Sequence, residues 1–539
     1  MKNNSRLVFM KSTFIRKFIV IFSFVFVFFN LLNNVSCDMD FYWNYNVSLQ
    51  ITKGLIPYRD ISLIVPFLYH LLGSLFLNFN SHAISFCFYL SLLMVFDSFI
   101  IAKITESLSN EKDKNNLFIL SYSLAIILLT KSIFEYNSLA ILFLLLIIFC
   151  ELFIKNNQYK ELYIGILVGL SILSKQSVGL IILLVSIFKV FLFNNKKIKC
   201  LIMRLLGMTI PLSFFFCYLL FTDSLDSFFS YTLFGLKEFN NEVSFFTFLN
   251  SLNKIHIKFL YSILFILLIA IIIYEFLSFF KEKDKSKKIV FLYSLASFSC
   301  FYPRRDGIHF IYLITPFIIL ISIFLYSFIK LFIFKIQIKK VYFVKYALFF
   351  LLIVYFLLPF SNYLFYSRDS AIFNSDYKYY EGLLVKKSIK EKLDSISKFI
   401  SDSEFDVIIL DYSGAFYHIN LDKYYKDYDV FMRGNFGFDG ENRLIEDIKN
   451  SDNTIYLIHN SISYDDGMAQ TPKKVIDYVM ANFINDGNIL EFNIYRKKWG
   501  NYDLFYETWR RFKRVCWRME WCSINRKGKK KSTKKCKMD

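Results

Sequence analysis

Four stretches of this chain place ionisable side chains where apolar sequence otherwise dominates. Asp38 and Asp40 follow the first long apolar run. Glu135 precedes Tyr136-Asn137. Lys175 and Gln176 separate two apolar runs, and Arg304-Arg305-Asp306 with His309 separates two more. Carboxylates and cations gathered at a bilayer face suit one kind of chemistry. Guanidinium and ammonium groups dock a lipid phosphate. A carboxylate takes the proton of an acceptor hydroxyl as it attacks. The cations then stabilise the charge on the departing phosphate. These are the requirements of group transfer from a polyprenyl-phosphate sugar. Taken singly, each residue has an ordinary use as a loop acid or an interfacial anchor. The combination is what points to chemistry, and Arg304 and Arg305 break the charge rule for external loops if they are mere anchors.

The elements that must hold these residues are apolar. Of 539 residues, 55% are hydrophobic and 20% aromatic, and mean hydropathy is +0.41. The apolar residues come in near-continuous runs, not periodic stripes, which implies an integral, multi-span membrane protein. The net charge of +20 would indicate nucleic acid in a soluble chain. Here it reads as topology, with Lys and Arg gathered in cytoplasmic loops, and no nucleic-acid partner is expected. Nine Cys are scattered with no CxxC or Cys/His spacing, so neither zinc nor a disulfide framework is inferred. Arg16-Lys17 before the first apolar run resembles a signal peptide, but Asn34 is wrong for a lipoprotein site at Cys37. An uncleaved first helix is expected.

Apolar runs lie near 14–32, 62–79, 82–102, 116–131, 137–154, 161–174, 178–194, 201–221, 258–280, 288–302, 308–333 and 342–360. If all twelve crossed, the Lys-rich loops from 103–115 onward would lie outside, opposite the N-terminal Lys/Arg cluster. The run 62–79 contains Pro66, His70 and Gly73 and follows the acidic stretch, so it reads as a juxtamembrane helix. Eleven crossings then remain. The loops 103–115, 155–160, 195–200, 281–288 and 334–341 all become cytoplasmic and all carry Lys. The N-terminus is cytoplasmic, and everything after 361 is extracytoplasmic. Asp97, Arg204 and Glu275 fall within apolar runs and are placed near interfaces.

Residues 361–498 alternate apolar strand-like runs at 405–412, 454–459 and 489–495 with amphipathic stretches at 384–400 and 471–485. A small extracytoplasmic α/β domain is expected there. Residues 499–539 hold four of the five Trp and a Lys/Arg cluster from Arg526 to Lys537, and read as a disordered basic tail. Such a tail could also meet anionic lipid.

The run Asp38-Met39-Asp40, Lys53-Gly54-Leu55-Ile56-Pro57-Tyr58-Arg59-Asp60 and Pro66 resembles the first external loop of GT-C membrane glycosyltransferases. That group includes protein O-mannosyltransferases, lipid A aminoarabinose transferases and bacterial relatives of the rhizobial lipopolysaccharide transferases. Tyr136-Asn137, Ser174-Lys175-Gln176 and Arg305-Asp306 with His309 and Pro316 resemble the bacterial members, so the likeness covers roughly 10–360. The resemblance implies a helical GT-C-type fold with its active site on the external face; with the charge pattern and the C-terminal patterning, the expectation is an all-α polytopic protein of about eleven transmembrane helices with a small C-terminal extracytoplasmic α/β domain, in a bacterial inner or plasma membrane. It implies inverting transfer of a monosaccharide from a polyprenyl-phosphate carrier to an acceptor hydroxyl or amine on a glycan, lipid or protein. Asp38 or Asp40 would be the base, with Glu135 assisting. Lys175, Gln176, Arg304, Arg305 and His309 would hold the lipid phosphate. Tyr58, Arg59 and Asp60 would position the acceptor or the loop. The chain departs from the group in having Asp-Met-Asp for Asp-Glu, and Val65-Pro66 for a Pro-Pro pair.

No cofactor is required by these residues, although Asp38 and Asp40 together could hold Mg²⁺ or Mn²⁺. The alternatives are a flippase or transporter of lipid-linked sugar, which acids at mid-membrane would favour, and a non-catalytic relative that binds polyprenyl phosphate.

Overall fold

The computed structural model describes residues 2–34, 39–111, 113–131, 136–155, 158–235, 245–252, 255–281, 284–302, 305–335, 361, 363–365, 367–460 and 471–497. The run 342–360, the tail 499–539, Asp38, Glu135 and Arg304 lie outside the described residues.

The apolar runs become helices. They are α1 (Lys2–Asn34), α2 (Met39–Thr52), α3 (Leu68–Leu77), α4 (Ala83–Ser107), α5 (Lys114–Leu129), α6 (Asn137–Phe153), α7 (Gln158–Ser174), α8 (Gln176–Phe193) and α9 (Lys197–Phe221). A short α10 (Leu225–Phe229) runs into a π-helical turn, Ser230–Phe234. Then come α11 (Phe245–Ser251), α12 (Ile255–Phe279), α13 (Lys285–Ser294) with a 3₁₀ extension to Phe301, α14 (Gly307–Ile314) and α15 (Ile318–Lys335).

Five of these helices are long and apolar enough to cross a membrane, and six if α14 and α15 form one broken span. The described helices therefore do not supply eleven full-length spans. Two reasons are visible. The helices α5 and α6 have 16 and 17 residues, which at 1.5 Å per residue reach about 25 Å, short of a hydrocarbon core of about 30 Å. The run 308–333, read as one continuous crossing, bends by 71° between Ile314 and Ile318. Pro316 sits in the break, where its ring and missing N–H interrupt a helix. The run 62–79 yields only the ten-residue α3. The faces of α9 and α12 stay largely open, as suits helices bathed in lipid.

Close packing in the bundle comes from small residues. Gly165 of α7 and Gly207 of α9 let the two backbones touch. A Cβ on Gly165 would lie 2.1 Å from the Arg204 carbonyl oxygen, and one on Gly207 2.2 Å from that of Leu162. Small residues permit such approach where lipid offers no hydrophobic drive.

Beside that contact lies a buried ionic network. Glu151 of α6 accepts from Lys189 of α8 at 2.5 Å, Arg204 of α9 at 2.6 Å and Lys160 of α7 at 3.2 Å. Arg204 also pairs with Glu161 and donates to the Ser186 carbonyl at 2.9 Å. Tyr293 of α13 donates to Glu151 at 3.3 Å. Every charged side chain here is 4% exposed or less. Arg204 is thus enclosed between helices, not placed at an interface. So is Asp97 of α4, 1% exposed, whose two carboxyl oxygens meet no hydrogen-bond partner. Glu275 pairs with Lys287 at 3.0 Å.

The C-terminal segment folds as an α/β unit. A small antiparallel pair, β1 (Ser370–Ile372) and β2 (Leu384–Lys386), precedes α16 (Lys387–Asp402), β3 (Asp406–Ile409), α17 (Gly414–Asn420), α18 (Gly440–Asn450), β4 (Thr454–His459), α19 (Lys473–Asn482), β5 (Phe483–Ile489) and β6 (Phe492–Lys497). The main sheet runs β3-β4-β6-β5, with β3 and β4 parallel and the rest antiparallel. The expected helix 471–485 ends at Asn482, and its last residues open β5. Strand alternation splits the core. Val407, Ile409, Ile455 and Leu457 join the apolar core that continues into the helical bundle. Ile408, Leu410, Tyr456 and Ile458 face Leu444, Ile448 and Val475 on the other side.

Glu151→Ala would leave three cations without their shared carboxylate. A loss of about 3–5 kcal/mol of stability is expected, measured as lowered resistance to thermal unfolding in detergent. Gly165→Ala should cost about 1–3 kcal/mol by parting α7 from α9, read by the same measurement.

Candidate functional site

The first polar stretch folds as α2, with Asp40 in its first turn, where a helix N-terminus favours a carboxylate. Trp43 lies one turn on and shares its face. The Trp43 ring meets Tyr136 edge-on at 6.0 Å, and the Lys175 ammonium stands 5.5 Å from the same Tyr136 ring. Lys175 is 3% exposed. It occupies the single extended residue between α7 and α8. Gln176 then donates to the Ile64 carbonyl at 3.2 Å and the Thr232 carbonyl at 3.3 Å. Tyr136 thus lies between Trp43 and Lys175, Gln176 is tied to the 61–64 segment, and Asp40 stands one turn before Trp43 on α2.

His70 of α3 supports this face from below. Its Nε2 donates to Asn44 Oδ1 at 2.8 Å, and Asn44 donates to the Asp40 carbonyl at 2.7 Å. The ring is fully buried, and burial lowers its pKa from the usual value to about 3. The imidazole is neutral.

Tyr58, Arg59 and Asp60 shape a turn. Tyr58 takes a positive φ of 70°, and its buried hydroxyl donates to the Val65 carbonyl at 2.9 Å. Asp60 accepts from Arg59 at 3.0 Å and from the Ile56 amide at 2.9 Å. The Arg59 hydrogen bond holds the Asp60 carboxyl below its ordinary range. These residues position the loop through their own contacts.

Arg305 and His309 belong to a separate element. Asp306 caps α14, accepting the His309 amide at 3.0 Å and lying 2.8 Å from its Nδ1. Arg305 is exposed, and no hydrogen bond or ion pair to a described residue holds it. Among the described residues no group of three or more His, Cys, Asp or Glu is placed to hold a metal ion.

The sequence reading missed the contribution of the C-terminal unit. Asp429 Oδ2 accepts from Asn46 and Gln50 of α2, both at 3.0 Å, and its Oδ1 lies 3.3 Å from His418. Asp427 accepts from Ser62 at 2.6 Å, from Tyr231 of the π-helical turn at 2.7 Å and from Arg443 at 2.7 Å. Lys426 donates to the carbonyls of Tyr58 and Arg59 at 3.1 and 2.6 Å. Lys53 reaches back to Tyr379 at 2.9 Å and to Tyr424 and Asp422. The signal for this was the dense run Tyr424-Tyr425-Lys426-Asp427-Tyr428-Asp429, where charge and phenol alternate without helical or strand periodicity.

No family model matches the chain, and neither curated proteins nor solved structures provide a match.

His70 gives a pH prediction. Its folded pKa is depressed, so between about pH 6.5 and 3 the unfolded chain binds the proton and the folded chain does not. Stability should fall as pH drops through that window, by about 1.4 kcal/mol per pH unit from this group. His70→Gln should flatten that part of the pH–stability curve measured by thermal unfolding.

Proposed function

We propose that the chain is a GT-C-type glycosyltransferase that moves a monosaccharide from a polyprenyl-phosphate carrier to an acceptor hydroxyl or amine. The observation that supports this best is the placing of Asp40 one turn from Trp43, whose ring meets Tyr136, with the buried Lys175 beside the Tyr136 ring. A carboxylate one turn from Trp43 and a buried cation beside Tyr136 are the two groups the transfer would use. Asp40 or Asp38 takes the acceptor proton. The acceptor oxygen or nitrogen attacks the anomeric carbon from the face opposite the phosphate. The bond from that carbon to the phosphate oxygen breaks, and polyprenyl phosphate leaves on Lys175, aided by Arg304, Arg305 and His309. Glu135 assists at the acceptor. Mg²⁺ or Mn²⁺ at Asp38 and Asp40 is part of the proposal only if transfer depends on it.

The topology belongs to the same proposal. The polar face and the C-terminal unit lie outside a bacterial plasma membrane, the N-terminus lies inside, and the 16- and 17-residue helices count among eleven crossings. Membrane thinning or snorkelling would accommodate the shorter ones.

One observation favours the transporter reading. Asp97 lies fourteen residues into α4, about 21 Å along the helix. Its carboxyl oxygens are without hydrogen-bond partners. Buried acids at that depth mark proton or ion paths in transporters.

The test is transfer of label from a panel of polyprenyl-phosphate monosaccharides by purified protein in membranes. Asp38→Ala/Asp40→Ala should lower the rate by at least about 10²-fold, with the protein still folded. Undiminished transfer in the double variant would sink the assignment of the base. Label crossing the bilayer without transfer, and lost in Asp97→Asn, would establish the transporter instead.

A further inference from the structure

The α8–α9 turn and the α12–α13 loop meet at one end of the bundle. Lys285 donates to the Phe193 carbonyl at 2.9 Å and stands 5.7 Å from the Phe193 ring, which joins segments 92 positions apart. Lys196, Lys197, Lys199, Lys281 and Lys285 are all exposed there. Among the described residues none of the five forms an ion pair, and the first four make no side-chain hydrogen bond either. The acids of these segments are engaged. Glu275 holds Lys287 at 3.0 Å, and Asp284 caps α13 by accepting the Ser286 amide at 2.9 Å. In the turn itself, Asn194 donates to Glu161 at 3.0 Å. That carboxylate belongs to the buried network, where Lys160, Lys189 and Arg204 outnumber Glu151 and Glu161. The interior therefore adds positive charge and does not offset the surface.

Lysines gather in cytoplasmic loops for topology alone, but this surface goes further. Lys197 and Lys199 stand in the first turn of α9 with no acid beside them, at the helix end where positive charge is disfavoured. An apolar ridge also rises from the patch. Ile198, Ile202, Leu206, Ile210 and Phe214 recur every fourth residue of α9 and are 42–75% exposed. Such a ridge winds along a helix surface, here for about 24 Å. The lysines call for an anion and the ridge calls for a hydrocarbon chain. Free phosphate would answer only the first.

We propose that this end of the bundle binds an anionic phospholipid, its phosphate on the lysines of the two loops and an acyl chain along the α9 ridge. Cations at the ends of apolar helices hold such headgroups. The site is separate from the polar face around Trp43 and Lys175. Near its other end, α9 packs Tyr218 against Phe67, which meets Tyr58, and Tyr218 lies about 30 Å along the helix from Lys197. The proposal therefore goes beyond the transfer reading and stands without it.

The test counts lipids bound to the full chain by native mass spectrometry as dioleoylphosphatidylglycerol is titrated into its detergent solution. Dioleoylphosphatidylcholine is the neutral control. Phosphatidylglycerol should bind saturably, about tenfold or more tighter than phosphatidylcholine, and its binding should weaken as salt rises. Lys196→Gln/Lys197→Gln/Lys199→Gln should weaken it about tenfold or more. Lys197→Gln/Lys199→Gln takes its place if the triple variant does not fold. Lys103→Gln/Lys114→Gln/Lys330→Gln removes the same charge where Glu106, Glu111 and Asp113 already pair the lysines, and should leave binding unchanged. Equal binding of the two lipids overturns the site. So does equal loss in both sets of variants, which would make the attraction one of total charge. Displacement of the lipid by millimolar inorganic phosphate would show a phosphate site that makes no use of the ridge, and overturns the lipid as its occupant.

Discussion

Polar groups removed from water must be answered by other polar groups, and much of this molecule is arranged around that demand. It is met most completely by Glu151, whose carboxylate is shared by Lys160, Lys189 and Arg204 with Tyr293 alongside. Four helices and the end of a fifth are thereby held in register within an apolar bundle. Such a network is weak evidence for stability, because desolvating five charges offsets most of their attraction. It is stronger evidence for a single arrangement. Any sliding of α7, α8 or α9 would strand a buried charge.

The same demand operates at the other polar centre. Asn46 and Gln50 are buried against the C-terminal unit and donate to Asp429, and the half-buried Ser62 donates to Asp427. Because those bonds join segments more than 360 residues apart, the C-terminal unit is not a detachable module. Its apolar face continues the core of the bundle, and its acidic loop is bound to Asn46 and Gln50 of α2 and to Ser62. The π-helical turn at Ser230–Phe234 enters the same contact through Tyr231.

Two buried features pull toward different functions. The grouping of Asp40, Trp43, Tyr136 and Lys175 at one polar face suits transfer chemistry at a surface. Asp97, enclosed and without hydrogen-bond partners inside α4, suits passage through the bilayer. An enzyme that releases a proton as it works would use the first and need not use the second.

The sequence by itself determined the helices, the separation of 62–79 from the full crossings, the α/β character of the C-terminal segment and the polar stretches worth attention. Each of these is written in local composition: continuous apolar runs, a Pro and a Gly in a short one, alternation in the strands. It also put Lys175 and Gln176 at a break between helices. Only the tertiary structure decided what those residues meet. Arg204 looked like an interfacial residue until Glu151, 53 positions earlier, was brought against it. Asp427 and Asp429 looked like loop acids until α2 was laid beside them. The bend at Pro316 was legible as a proline but not as a 71° turn, since packing chooses how a broken helix continues. Periodicity and polarity act over a few residues and survive in the sequence. The pairing of buried charges acts across hundreds, and its partners are known only once the chain has folded.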